Sequence, residues 1–534
     1  MNKTAWISLM MVLLAVAMFI TSCSSTSSNT PAATTTTITG SLYAAPVTDA
    51  SVIVLTAAGN PIAGPVNTAS DGTYNVNVPT SALTSDFRIE STGGTYTDEA
   101  TGLTTTAGIF AAYFSGGTLT TGPAAVHIGP CTTVINNELT TNSTLTFIGA
   151  QAFFHNAFGY TPDSSVAPSN MPSNGSNNAQ RLAAYHAGVF SQLNASLGFT
   201  HDKQGAMLNA IAQDLADDGI LNGSSGSVNG MNLTEDIQNR YEQAMISYLS
   251  NTTANRTGLT AADIGGELPF SKVALTNTYR VQYLPGMMAA TTGKTSFQIR
   301  ITKRSDGSPA TGLTVSLMPT MHMASMNHSS PVDIITEDSS PGVYNCTIYY
   351  LMGDGSQIGY WALAFMIGSG MDMETATFYP AVSMGMGTDT IDKKLYGPDD
   401  IVTAMSGTLT NNYFLFRDGV VSAATPTINL FIAHSESMMM NFKAVSIGAI
   451  LSNPTGTVTS MTVQASMDSS FSSLVAGTDK GNGHWSLSGL TGLVSGQTAT
   501  IYVKVNVNGQ DKTTDGNAAS GSNAYATFLV TPGM

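Results

Sequence analysis

Residues 318–328 read Met318-Pro319-Thr320-Met321-His322-Met323-Ala324-Ser325-Met326-Asn327-His328, four thioethers and two imidazoles in eleven positions. Thioether sulfur is a soft ligand that favours Cu(I), and imidazole accepts both copper oxidation states. In an oxidising compartment methionine outlasts thiolate, which is consumed by disulfides and sulfur acids. Pro319 is expected to end the preceding strand and leave the cluster in a loop. There Met321, Met323 and Met326 converge with His328 or His322 on one ion, and Met318 flanks the set. A straight strand cannot gather them, because alternate side chains face opposite ways. Core packing is the competing reading, since methionine is a flexible filler. Against it stand the two histidines, each of which needs a polar partner if buried.

The enrichment is wider than the cluster. Thirteen of the 27 methionines fall between Met287 and Met405, among them Met366, Met371, Met373, Met384 and Met386. Met438-Met439-Met440 near His434 is a weaker candidate, because consecutive strand residues cannot all share one face. Other chemistries find no support. HExxH and GxSxG are missing, and Gly293-Lys294-Thr295 fails as a phosphate loop because Met288 stands where the first glycine is required. Asp214, Asp217, Asp218 and Asn222 lack the alternating oxygens and distal Glu of a calcium loop. His155, His186 and His201 have no metal-ligand spacing and read as packing or surface residues. Carboxylates are too scattered to nominate an acid/base pair, so the expectation is a binding protein and not an enzyme.

The elements that carry these residues begin with an exported leader. Lys3 precedes an apolar run over residues 7–20, too short for the ~20 residues that span a bilayer as a helix. It ends in Ile20-Thr21-Ser22-Cys23, which resembles the bacterial lipoprotein lipobox. That resemblance implies lipidation of Cys23 as the new N-terminus, and Ser24 in place of Asp implies outer-membrane sorting, facing periplasm or cell exterior. A Ser/Thr-rich tether through residue 37 follows. The membrane is therefore an expected partner through the lipid alone, and an envelope protein partner stays open. A net charge of −15 excludes an electrostatic grip on nucleic acid. Export permits a disulfide between Cys131 and Cys346; two unpaired buried thiols fit equally.

At about 150 residues per domain, 534 residues make several folded units. Within a first unit expected over residues 38–125, residues 38–92 alternate with period two, with Ser51-Val52-Ile53-Val54-Leu55 and Tyr74-Asn75-Val76-Asn77-Val78 as strands and Asp71-Gly72 as a turn. This stretch resembles the carboxypeptidase-regulatory-like (prealbumin-like) β-sandwich, which implies a spacer or adhesion module without catalytic residues. Residues 126–265 switch to helical period. Leu182, His186, Val189, Phe190, Leu193 and Leu197 form one helix, Met207, Ile211 and Leu215 a second. A third is expected to open at a capping box over residues 232–235.

Residues 266–404 return to strands. Gly307-Ser308-Pro309-Ala310-Thr311-Gly312, Met318-Pro319-Thr320-Met321, Pro341-Gly342-Val343-Tyr344 and Gly359-Tyr360-Trp361-Ala362-Leu363 occur there in order. This sequence resembles the YtkA-like/FixH-like domain, implying an exported accessory β-sandwich, some of whose relatives are linked to copper handling. Residues 405–534 complete the chain with further strands, a hairpin at Asn508-Gly509, and the spacing of an immunoglobulin-like sandwich. The expected fold is mainly β and multi-domain, immunoglobulin-like and prealbumin-like β-sandwiches with one small inserted α-helical domain.

Overall fold

The computed structural model describes residues 34–119, 124–170, 175–385, 387–404, 407–436 and 439–533. The expected leader, Cys23 and most of the expected tether lie outside these residues. The fold is mainly β, built of antiparallel sheets with one helical unit. Alternation is clean where one face meets a core: Thr73–Pro79 buries Tyr74, Val76 and Val78 and exposes the residues between them. Period two places every second side chain on the same face, so apolar spacing alone selects the buried side.

The first sandwich sets the three-stranded sheet of Thr35–Leu42, Thr73–Pro79 and Ala124–Ile128 against a four-stranded sheet that includes Ser51–Thr56 and Phe87–Thr92. Its first strand opens at Thr35, opposite Pro79, inside the stretch expected to be tether. Ala124–Ile128 pairs in parallel with Thr35–Leu42, so the sandwich runs past the expected boundary at 125.

Helices α1 (Pro130–Thr141), α2 (Phe147–Phe158), α3 (Asn178–Ser196), α4 (Gln204–Asp218), α5 (Ile237–Ser250) and α6 (Ala261–Ile264) follow. α3 and α4 carry the two expected apolar spacings, and α1 and α2 are additional to them. The helix expected from a capping box at 232–235 instead starts at Ile237, because Asn232 is taken up in a short pairing with Ser227. Helices and first sandwich share one continuous apolar core, from Ile38 through Phe154 and Phe190 to Tyr248. They are two parts of one packing unit.

The third module packs a five-stranded sheet, centred on Gly293–Lys303 and Val343–Tyr350, against a four-stranded one. The latter orders Asn327–His328, Val315–His322, Tyr360–Ile367 and Glu374–Phe378. Ile299, Ile348, Trp361 and Phe365 lie in its core. The fourth module starts at Asp392, since Asp392–Ala404 pairs with Gly407–Arg417; the expected start at 405 falls between these two strands. Asn508 and Gly509, with φ of 52° and 82°, close the expected hairpin, Val507 facing Gln510. Modules three and four meet through Tyr349, Phe414, Phe416 and Phe431, the Tyr349 and Phe431 rings stacked at 4.1 Å.

Candidate functional site

The Met/His stretch is not a loop. Strand Val315–His322 runs through Pro319, which faces Leu363 on one side. On the other side Asn327–His328 covers only Met321 and His322, so the missing N–H of Pro319 breaks no ladder bond there. The strand period then separates the expected ligands. Met321 is fully buried in the module core, while Met318 stands on the opposite face and is half exposed. His322 lies on that outer face, stacked on Tyr360 at 4.9 Å. Met323 closes a tight turn through its N–H to the carbonyl of Met326. The Met326 side chain is exposed. The six residues do not share a centre, and the expectation of a converging loop is corrected by strand alternation.

One of the six nevertheless meets a thioether that the sequence reading did not nominate. His328 is 4% exposed, its Nδ1 lying 2.9 Å from the carbonyl oxygen of Ser329 and its Nε2 lying 3.0 Å from Sδ of Met352. Neither the carbonyl oxygen nor the thioether can donate a proton. A neutral imidazole carries one N–H, so it satisfies one of these contacts and turns a lone pair on the other. Burial holds the His328 pKa below the usual imidazole value, which disfavours the doubly protonated ring. The carbonyl is the stronger acceptor, so the network assigns the proton to Nδ1. The Nε2 lone pair then faces the sulfur with no hydrogen between them.

The surroundings fix both groups. The indole N–H of Trp361 donates to the Met352 carbonyl at 3.1 Å, and the Trp361 and His328 rings meet edge-on at 5.4 Å. On the same loop, the Gly353 N–H points at Sδ of Met384 at 3.2 Å. The signal that could have found Met352 is its place just after the strand holding Tyr344, but only sheet packing brings it to His328.

The remaining candidates resolve into structural roles. His434 is fully buried, its Nδ1 3.0 Å from Glu436 and its Nε2 3.1 Å from Asn411, so it faces a polar network rather than thioethers. Met438 lies outside the described residues. Cys131 and Cys346 are free thiols in two different cores, and the disulfide is not made. Burial pushes each thiol up to about 12. Asp214 is fully buried and accepts from the backbone N–H groups of Asn222, Gly223 and Ser225; these donors hold the loop and occupy the oxygens a calcium ion would need.

A cavity of about 230 Å³ opens where the first sandwich, the helices and the entry to the third module meet. His186 Nε2 lies 2.8 Å from Oε2 of Glu267 at its wall. The Tyr160 ring lies flat on His186, 3.5 Å away at 10°, and its hydroxyl reaches that of Tyr241 at 2.8 Å. His127 borders the same cavity, with Nδ1 2.8 Å from Ser41 Oγ. His186, expected as a packing or surface residue, meets Glu267 from 81 residues away, and Glu267 carries no local mark in the sequence.

No known protein-family model matches the chain, and no curated protein matches it. The two module resemblances thus rest on their motifs, and the coordinates bear out their coarser content, a series of two-sheet β-sandwiches. Among the described residues no helix is long and apolar enough to cross a membrane.

Proposed function

We propose that the chain is a lipid-anchored protein of the bacterial cell envelope that works by binding, and that its soft-metal seat is the His328–Met352 pair. The observation that carries this reading is the 3.0 Å separation of His328 Nε2 from Met352 Sδ, two atoms able to ligate one cation. Two lone-pair atoms this close without a proton between them repel, and a cation seated to one side of the N···S line would be bound by both. Metal-bound histidines characteristically donate their second ring nitrogen to a carbonyl, the bond His328 makes to Ser329. Nitrogen with thioether sulfur is a donor set that suits Cu(I). Met384, whose Sδ lies 3.2 Å from the Gly353 N–H beside Met352, would complete the set. The anchor is carried by Ile20-Thr21-Ser22-Cys23.

The test is a competition titration of the full chain with Cu(I) against a chromogenic chelator. His328→Gln and Met352→Leu should each weaken affinity at least about tenfold, while Met318→Leu and Met326→Leu leave it unchanged. A metal held by the folded state raises its melting temperature. Equal affinity in all four variants removes the site.

A structural surface lipoprotein is the second reading. It is favoured by the aromatic seam of Tyr349, Phe416 and Phe431 between the last two modules, which makes the chain a stiff spacer. On that reading Cu(I) leaves the melting temperature where it was.

A further inference from the structure

The cavity at the junction of the first sandwich and the helices has the features of a built seat. Its buried residues include Tyr43, Ile128, Cys131, Tyr160, His186 and Ala187, from the first sandwich, α1, the loop after α2 and α3. Exposed Thr161 and Asp163 mark the rim. Pro130, Pro162 and Pro168 stiffen the lining, so little backbone freedom is lost when the space is filled. Much of the remaining wall is apolar, with Ile128, Val166, Leu182 and Ala183. A mostly apolar cavity with a few converging polar groups is the general form of a small-molecule site.

The charges select among ligands. Two carboxylates line the cavity, Glu267 and Asp163, and no lysine or arginine does. Glu267 gives Oε2 to His186 and has no hydrogen-bond partner at Oε1 among the described residues. Asp163 uses Oδ1 to hold the turn at Ser165. Coulomb attraction strengthens as water is removed, so a partly enclosed carboxylate favours a cation and repels an anion more than it would in bulk solvent. The Tyr160 ring lies flat against His186, which holds the wall beside Glu267 rigid. Cys131 in the wall is a protonated thiol, so the seat holds its ligand without attacking it.

We propose that this cavity binds a small organic amine with an apolar, single-ring body, its ammonium group against Glu267 and its ring between the prolines and α3. This site is separate from the His328–Met352 pair and stands or falls independently of it.

The experiment is isothermal titration of the full chain, with a copper chelator present, using three probes of one shape: 2-phenylethylamine, 2-phenylethanol and 3-phenylpropionate. The amine should bind about tenfold or more tighter than the alcohol, and the acid weakest. Glu267→Gln keeps a hydrogen bond to His186 but removes the charge, and should bring the amine down to the alcohol. Ala183→Phe, at a partly exposed position of α3, fills the cavity and should abolish binding of both with the circular-dichroism melt unchanged. Should Ala183→Phe fail to fold, the isosteric Glu267→Gln decides alone. Acid binding as tightly as amine, or amine binding untouched by Glu267→Gln, overturns the ligand class. Absence of binding by all three probes overturns the seat.

Discussion

His484 Nε2 lies 2.9 Å from Oδ2 of Asp333, although 151 residues separate them in the chain. This pair spans the third and fourth modules. The other ring nitrogen lies 2.7 Å from Asp418, which also receives Lys294 at 2.6 Å and the Tyr349 hydroxyl at 3.0 Å. Hydrogen bonds to Asp333 and Asp418 outweigh burial and raise the His484 pKa to about 9. Burial pushes Asp418 up, but His484 and Lys294 more than compensate and bring it to about 2.

A raised histidine pKa stabilises the fold through its bound proton. That contribution is complete below the unfolded value of about 6.5 and is lost as pH rises through about 9. His484→Gln should therefore lower the melting temperature of the last two modules most at pH 6, and the gap should close by pH 10. After allowance for partial exposure the loss is about 1–2 kcal/mol. A gap that stays constant across this range would contradict the assignment. Differential calorimetry at a series of pH values measures it.

Glu138 on α1 is fully buried, and neither carboxyl oxygen has a hydrogen-bond partner. Burial pushes its pKa up to about 9, so the folded state holds a proton that the unfolded chain releases near pH 4.5. Here the sign makes stability fall as pH rises between those values. Glu138→Gln should leave the melting temperature unchanged at pH 4 and raise it at pH 8, by on the order of 3 kcal/mol in stability. Parallel pH–stability curves for the two proteins would mean the carboxyl is ionised in the fold.

Asp214 organises the loop after α4 through three backbone N–H groups and the Ser224 hydroxyl. Asp214→Ala leaves partly buried donors without their carboxylate and should cost about 1–3 kcal/mol by chemical denaturation. Calcium should not shift the melting temperature of the parent protein. A calcium-dependent rise would restore the metal reading of this acidic cluster.

The methionines divide sharply by exposure. Met287 and Met371 are fully open, at 106% and 103%, whereas Met207, Met245 and Met321 are at 0%. Brief hydrogen peroxide treatment should convert the open pair to sulfoxides and spare the buried three, with no change in melting temperature, because the open thioethers support no core. Peptide mass spectrometry reads the pattern. Sulfoxide at Met321 in folded protein would contradict its burial between the two sheets.

Period-two apolar spacing, turn chemistry and the amphipathic runs of α3 and α4 determined the mainly β, multi-module class with a helical insert. These features are local: a strand buries every second residue wherever it lies, and Asn508-Gly509 turns on its own backbone preferences. The soft-ligand enrichment around residue 320 was equally plain as composition. Its geometry was not, because Pro319 reads as a strand end unless one knows that the neighbouring strand Asn327–His328 stops short of it. Once the strand continues, the pleat sends Met318 and Met321 to opposite faces. Which groups meet across a gap depends on sheet register and on how modules pack, and neither leaves a mark at a fixed sequence spacing. Tertiary structure alone therefore brought Met352 to His328, Glu267 to His186 and Asp333 to His484. It likewise put Cys131 and Cys346 in separate cores and joined the first sandwich to the helices through one shared interior.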